Sequence, residues 1–134
     1  MHTVIKYYGI KNNKKDKVLD LPMRKVYALE ILSGEKVREY RLFTDHWATR
    51  LGEFNDPNDP NMMTDIKPYT RAHFHPYNKS WWLDVEITAI DIFTVNEAFL
   101  HDLDSEVNAR IGDGIFVISL GKVLGTNLED TKSK

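Results

Sequence analysis

The 134-residue sequence contains no cysteine. A disulfide framework, a zinc site built from thiolates and a catalytic thiol are therefore excluded. The absence of cysteine fits a reducing compartment, so a cytoplasmic location is the expectation.

Long apolar runs are missing as well. No stretch approaches the roughly 20 apolar residues that a membrane-spanning helix needs, and residues 1–8 lack the apolar core of a signal peptide. We therefore expect a soluble intracellular protein with no membrane partner. The length suits a single domain with a core of useful size.

The formal net charge of -2 hides an uneven distribution of charge. Residues 1–25 contain seven lysines and arginines against two aspartates, about +5, so the remainder carries about -7. Lysines that neutralise phosphates release counterions, and one interpretation of the basic start is therefore contact with phosphate. The other is a solvated, lysine-rich surface loop.

Apolar patterns predict an α+β fold in the first part of the chain. Residues 17–21 are typical of a short strand, and Pro22 is suited to be the first residue of a helix over residues 23–33. The pair Ser33-Gly34 is a natural helix end. Residues 37–43, rich in β-branched and aromatic types, predict the next strand.

The later elements are predicted in the same way. Residues 83–89 alternate strictly between apolar and polar types, the pattern of a strand with one buried face. Asn96 is suited to cap a helix that continues to Gly112, with a break at Asp104-Ser105. Residues 115–124 predict a long strand in which Gly121 marks a bulge or a close approach.

Residues 44–80 show little periodicity. The run from Asn55 to Asn61 alternates asparagine, aspartate and proline and cannot continue a helix or a central strand. The segment predicts a long loop or insertion whose aromatic second half packs as a lid. We thus divide the chain into a basic segment (1–16), a folded domain (17–125) containing this insertion, and a fraying polar tail (126–134).

The most informative motif is Gly34-x-Lys36-x-x-Glu39-x-Arg41, at the junction of a helix and a strand. Glu39 and Arg41 are two residues apart and share a strand face. Lys36 is an odd number of residues from both, so in a regular strand its side chain faces the other way. It joins them only if it lies in the turn after Gly34 or if a bulge rotates it. In a desolvated cleft the lysine amine is a donor, a base or a nucleophile, and the arginine suits a phosphate or carbonyl. Exposed salt bridges on a strand face are the other interpretation.

The run from Val18 to Phe43 resembles the ASCH domain, a branch of the PUA-like superfold, whose signature is this motif after a short helix. Flanking positions agree with the family: Tyr27, Ile31, Leu32 and Ser33. The resemblance implies a small β-barrel with two or three flanking helices. It also implies a cleft for RNA or modified nucleosides, lined by Gly34, Lys36, Glu39 and Arg41.

Some relatives in that family are amidohydrolases of acylated cytidine, which use the motif lysine with a threonine three residues later. Glu39 occupies that position here, and this departure weakens the hydrolase interpretation. If the protein is an enzyme, Lys36 and Glu39 are the candidate catalytic residues, acting on an acylated pyrimidine nucleoside or as a ribonuclease.

Two candidate metal sites are weak. His73 and His75, with Asp45 and His46 upstream, lack a second short-spaced ligand pair and are more typical of surface or lid residues. Aspartates in the insertion lack the spacing and central glycine of a calcium loop: Asp56, Asp59 and Asp65. We predict neither a metal nor another cofactor.

Aromatic residues before the strand at Leu83 supply a further binding hypothesis. If the strand extends to Trp81 and Trp82, one ring faces the core and the other faces outward, where it or Tyr77 can stack on a base. The alternative is that both rings seal the end of the fold. Tyr77 and Trp81 are therefore candidate ligand-binding residues.

Three hypotheses for the function follow. The first is a binding module for RNA or a nucleotide, and the overall acidity of the chain favours a narrow site for it. The second is the enzyme with Lys36 and Glu39. The third is a protein-interaction module, for which Lys36→Ala is silent and Trp81→Ala or Trp82→Ala abolishes partner binding.

Overall fold

A computed structural model describes residues 4–5, 16–55, 63–103 and 107–129 of the chain. These residues form three helices: α1 (Lys25–Leu32), α2 (Asp45–Leu51) and α3 (Glu97–Asp102). They also form eight strands: β1 (Val4–Ile5), β2 (Val18–Pro22), β3 (Arg38–Leu42), β4 (Gly52–Phe54), β5 (Met63–Ile66), β6 (Arg71–His75), β7 (Leu83–Thr94) and β8 (Gly114–Thr126). The α+β class is confirmed.

Strand pairing forms one large sheet and one small one. The large sheet has the order β2-β6-β7-β8-β3, and β1 pairs with β7. Strands β2 and β6 are parallel, whereas β6 and β7 are antiparallel. The small sheet is the antiparallel pair β4 and β5.

The chain divides into two compact units. Of the described residues, unit 1 comprises 4–5, 40–55, 63–68, 89–103 and 107–118, and unit 2 comprises 16–39, 69–88 and 119–129. Strands β3, β7 and β8 each contribute residues to both units.

The core of unit 2 comes from the inward faces of β2, β6 and β7. Alternate residues of these strands are buried, as strand geometry requires: Leu19, Leu21, Ala72, Phe74, Leu83 and Val85. Helix α1 adds Ala28 and Ile31 to the buried set. The outward faces of the same strands therefore carry the polar residues.

The core of unit 1 centres on Val95, Ile115 and Val117, with Phe93 and Phe99 packed against them. Phe43 stacks on Phe116 with 5.0 Å between ring centroids. Helix α3 begins at the predicted cap, since the Asn96 side chain accepts a 2.8 Å hydrogen bond from the Phe99 amide.

The structure corrects several predicted boundaries. Pro22 ends β2 instead of starting α1, which begins two residues after Met23 at Lys25. Helix α3 ends at Asp102, well before Gly112, whose positive φ of 94° places it in a turn. The predicted break at Asp104-Ser105 lies outside the described residues, as does most of the basic segment 1–16.

The loop predicted for residues 44–80 is the largest error. The described residues of this segment form α2, β4, β5 and β6. Strand β6 pairs with both β2 and β7, so it is part of the sheet and not of a lid. The run of asparagine, aspartate and proline misled the prediction, and its residues 56–61 lie outside the described part.

The predicted fraying after Thr126 is wrong for its first residues. The Thr126 hydroxyl donates a 2.7 Å hydrogen bond to the Trp82 carbonyl, and the Asn127 side chain accepts one of 2.8 Å from the Trp82 amide. Gly121 has a close neighbour as predicted, because a Cβ there would clash with a Glu86 carboxylate oxygen. Within the described residues, no helix is both long and apolar enough to span a membrane.

Candidate functional site

The end of α1 brings Lys36 back towards the helix. Gly34 adopts a positive φ of 87°, a conformation that favours glycine, and its amide donates to the Ile31 carbonyl. The Lys36 amide then donates a 3.0 Å hydrogen bond to the Glu30 carbonyl. This turn holds Lys36 before the first residue of β3. The alternation of side chains along a strand therefore does not apply to Lys36 and does not separate it from Glu39.

Lys36 and Glu39 form a buried ion pair. The Lys36 Nζ lies 3.4 Å from the Glu39 Oε1, and the two side chains are only 7% and 8% exposed. The ammonium also lies 5.5 Å from the centroid of the Tyr27 ring, a cation–π contact from α1. The motif lysine and glutamate thus lie together, with an aromatic ring beside them.

Arg41 belongs to unit 1, whereas Gly34, Lys36 and Glu39 belong to unit 2. Its guanidinium carbon lies 4.9 Å from the centroid of the Trp47 ring in α2. Trp47 was not among the predicted site residues.

The aromatic candidates of unit 2 differ in exposure. Tyr77 lies in a turn and is 91% exposed. Trp81 is buried and Trp82 is 37% exposed, so Trp82 carries the outward ring. That ring stacks on His73 with 6.3 Å between centroids.

A second polar group, which we call the sheet-face cluster, lies on the outward face of unit 2. Its members come from β2, β6, β7 and the residue two before β2: Asp16, Asp20, Arg71, His73, His75 and Asp84. Asp84 accepts from both Arg71, at 3.2 Å, and His73. Arg71 also pairs with Asp16 at 2.9 Å.

The register of the sheet explains this cluster. His73 lies opposite Asp20 on β2 and opposite Asp84 on β7. Directly opposed residues in neighbouring strands point to the same face, so the histidine lies between two carboxylate-bearing strands. Among the described residues, no group of three or more histidines, aspartates or glutamates is arranged to hold a metal ion.

His75 carries the clearest electrostatic signal in the cluster. Its Nδ1 lies 2.8 Å from the Pro76 carbonyl oxygen and its Nε2 lies 3.0 Å from the Asp20 Oδ2. Both partners only accept, so both contacts are hydrogen bonds only when both ring nitrogens carry a proton, and the geometry therefore favours the imidazolium. The hydrogen bond to Pro76 and then that to Asp20 raise the pKa of His75, against the opposing effect of burial.

This raised pKa predicts a pH dependence of stability. A histidine whose pKa is higher in the folded than in the unfolded protein stabilises the fold below its unfolded pKa of about 6.5. That stabilisation is lost as the pH rises through the folded pKa. The difference in free energy of unfolding between wild type and His75→Gln, measured by urea titration, should therefore be larger at about pH 5.5 than at about pH 9.

His101→Gln is the matched control, because His101 is exposed on α3. Substitution at this exposed position should change the free energy of unfolding by less than about 0.5 kcal/mol. An NMR titration of wild type and Asp20→Asn gives an independent check, since the loss of the carboxylate should lower the pKa of His75. Equal effects of His75→Gln at both pH values would contradict the imidazolium assignment.

Comparison of the chain with protein-family models, with curated proteins and with solved structures finds no match.

Proposed function

We propose that the protein is a binding module for RNA or a nucleotide-like small molecule, and that Lys36 and Glu39 are the centre of its site. The observation that carries the proposal is the burial of this ion pair. Removing two charges from water is costly, and the attraction between them seldom does more than offset that cost. Two apolar residues would pack at least as well at these positions. A requirement for the two charges themselves therefore explains why a lysine and a glutamate are present.

The surroundings of the pair suit a nucleotide. The ammonium is a donor for phosphate or for a base carbonyl, and the carboxylate is an acceptor for base amino groups. Tyr27 adds an aromatic ring within contact of the ammonium, and aromatic rings are the surfaces on which bases stack. A small buried site of this kind also fits a chain with a net charge of -2, since overall acidity favours a narrow site.

The resemblance to the ASCH domain is part of the proposal. The α+β class and the short helix before the motif are compatible with a small barrel of this kind. In that family the corresponding residues belong to the cleft, and Gly34 supplies the positive φ that the turn needs.

The test is the fluorescence anisotropy of a labelled single-stranded RNA, with nucleotides and acylated cytidine as competitors. The variant is the neutral double substitution Lys36→Met with Glu39→Leu, and the matched control is Lys122→Gln, which removes an exposed lysine of the same unit. We expect the double variant to bind at least about tenfold more weakly, the loss of one charge-assisted contact, and the control to bind like wild type.

Two other outcomes would replace the proposal. RNA that is cleaved, or acylated cytidine that is hydrolysed, by wild type and not by the double variant would make Lys36 and Glu39 the residues of an enzyme. Binding of RNA and nucleotides that is identical in wild type and the double variant would remove the motif from the site.

A further inference from the structure

The turn between β6 and β7 is hydrogen-bonded to a buried histidine of the sheet-face cluster. We call residues 76–79 the Pro76 turn. The Pro76 carbonyl oxygen accepts a 3.1 Å hydrogen bond from the Lys79 amide, which closes the turn, and it lies 2.8 Å from the His75 Nδ1. The other nitrogen of the same ring, Nε2, lies 3.0 Å from the Asp20 Oδ2 on β2. His75 therefore links the turn to a strand of the sheet.

The Pro76 turn holds one residue in a conformation that its type seldom adopts. Among the described residues other than glycine, Lys79 alone has a positive φ, of 56°. A residue with a side chain is strained there, and the strain persists only where surrounding contacts stabilise it. Tyr77 contributes little packing to the turn, because it is 91% exposed. The hydrogen bonds to the Pro76 carbonyl are therefore part of what holds the turn in shape.

The number of protons on His75 decides how many of its two contacts are hydrogen bonds. The imidazolium has two N–H groups and donates to both acceptors, whereas the neutral ring has one. The neutral ring retains the bond to Asp20, because an ionised carboxylate is a stronger acceptor than a carbonyl. Nδ1 then carries a lone pair that faces the Pro76 oxygen, and two acceptors at this distance repel. The bond to Pro76, and then that to Asp20, raise the pKa of His75, so the neutral ring forms above the ordinary histidine pKa of about 6.5.

Charged and titratable groups around the ring come from three strands and from the turn itself. Asp20 of β2 favours the imidazolium, and Lys79 of the turn opposes it. On β6 the ring of His73 lies 5.5 Å from that of His75, between centroids, and Asp84 of β7 pairs with His73. Asp20 and Lys79 are thus the groups whose charges act on the proton of His75.

We propose that the proton on His75 is a switch for the conformation of the Pro76 turn. With the imidazolium, the turn is closed and Lys79 has its positive φ. With the neutral ring, the bond to the Pro76 carbonyl is lost, Lys79 leaves the positive-φ region and the exposed Tyr77 changes position. The inference is independent of the function proposed for the Lys36 site. A ligand that contacts Tyr77 would bind with an affinity that depends on pH.

The experiment is an NMR titration of the isotope-labelled protein from about pH 5 to about pH 9, on both sides of the ordinary histidine pKa. The nitrogen shifts of the His75 ring identify which nitrogen keeps the proton, and the three-bond coupling between the amide and α protons of Lys79 reports its φ. We expect the proton to remain on Nε2, and the Lys79 coupling to change with the same midpoint as the ring. In His75→Gln the Lys79 coupling should no longer change with pH. His101→Gln, at an exposed position of α3, is the matched control and should behave like wild type.

Three results would overturn the switch. A neutral His75 that keeps its proton on Nδ1 would retain the bond to Pro76. A Lys79 coupling that stays constant while the ring titrates would show that the turn does not respond to the proton. A coupling that changes in His75→Gln as in wild type would assign the change to another group. The first two results come from wild type alone, so they decide the proposal even if His75→Gln fails to fold.

Discussion

Replacing Lys36 with methionine should lower the free energy of unfolding by about 3–5 kcal/mol, because the buried Glu39 carboxylate then loses the ammonium that lies 3.4 Å away. That loss is a large part of the 5–15 kcal/mol that typically stabilises a domain of this size. Urea titration followed by circular dichroism measures it. Lys122→Met, at an exposed position, should change the same quantity by less than about 0.5 kcal/mol.

The double substitution Lys36→Met with Glu39→Leu should restore most of the stability. Buried ion pairs replaced by apolar residues of similar volume are often neutral or more stable. The two single variants and the double variant form a thermodynamic cycle, whose coupling energy isolates the interaction of the pair. Additive effects of the two single substitutions would show that the 3.4 Å contact contributes nothing to folding.

The same cycle separates stability from function. If the double variant folds as well as wild type and no longer binds RNA or nucleotide, the charges are retained for the ligand and not for the fold. If it folds well and binds normally, the burial of the pair has another cause and the proposed function loses the observation on which it depends.

Local patterns predicted the elements whose signal lies in neighbouring residues. The alternation over residues 83–89 identified β7, since the inward residues Leu83, Val85 and Ile87 are all buried. The expectation that Lys36 joins Glu39 from the turn after Gly34 also used neighbouring residues alone, and the structure has this turn. Asn96 was recognised as a cap because capping involves a partner only three residues away.

Partners distant in sequence could not be predicted. The Asp84 carboxylate accepts from two side chains of β6, and the Asp20 carboxylate pairs with a histidine 55 residues later. Both contacts depend on which strands are neighbours and on their register, which a single sequence does not reveal. The sheet-face cluster was therefore seen only as isolated histidines and aspartates.

Strand β6 was missed although a signal for it exists. In Arg71-Ala72-His73-Phe74-His75 the apolar residues occupy every second position, which is the pattern of a strand with one buried face. The two histidines and the neighbouring aromatic residues favoured a lid instead. The structure shows Ala72 and Phe74 fully buried and the polar residues on the outward face.

Phe74→Ala should therefore lower the free energy of unfolding by about 3–5 kcal/mol, as for other large aromatic residues removed from a core. Phe74 lies opposite Leu21 on β2 and Leu83 on β7. The cavity left by the substitution therefore lies between β6 and the two strands that pair with it. Urea unfolding measures the change.

Tyr77→Ala is the control for this prediction, because it removes an aromatic side chain three residues away that is 91% exposed. It should change the free energy of unfolding by less than about 0.5 kcal/mol. If Phe74 and Tyr77 belonged to a lid, removal of either ring would leave the free energy of unfolding unchanged and would alter ligand binding. If Phe74→Ala unfolds at the same urea concentration as wild type, β6 is not part of the core, and the sheet-face cluster that it carries loses its support.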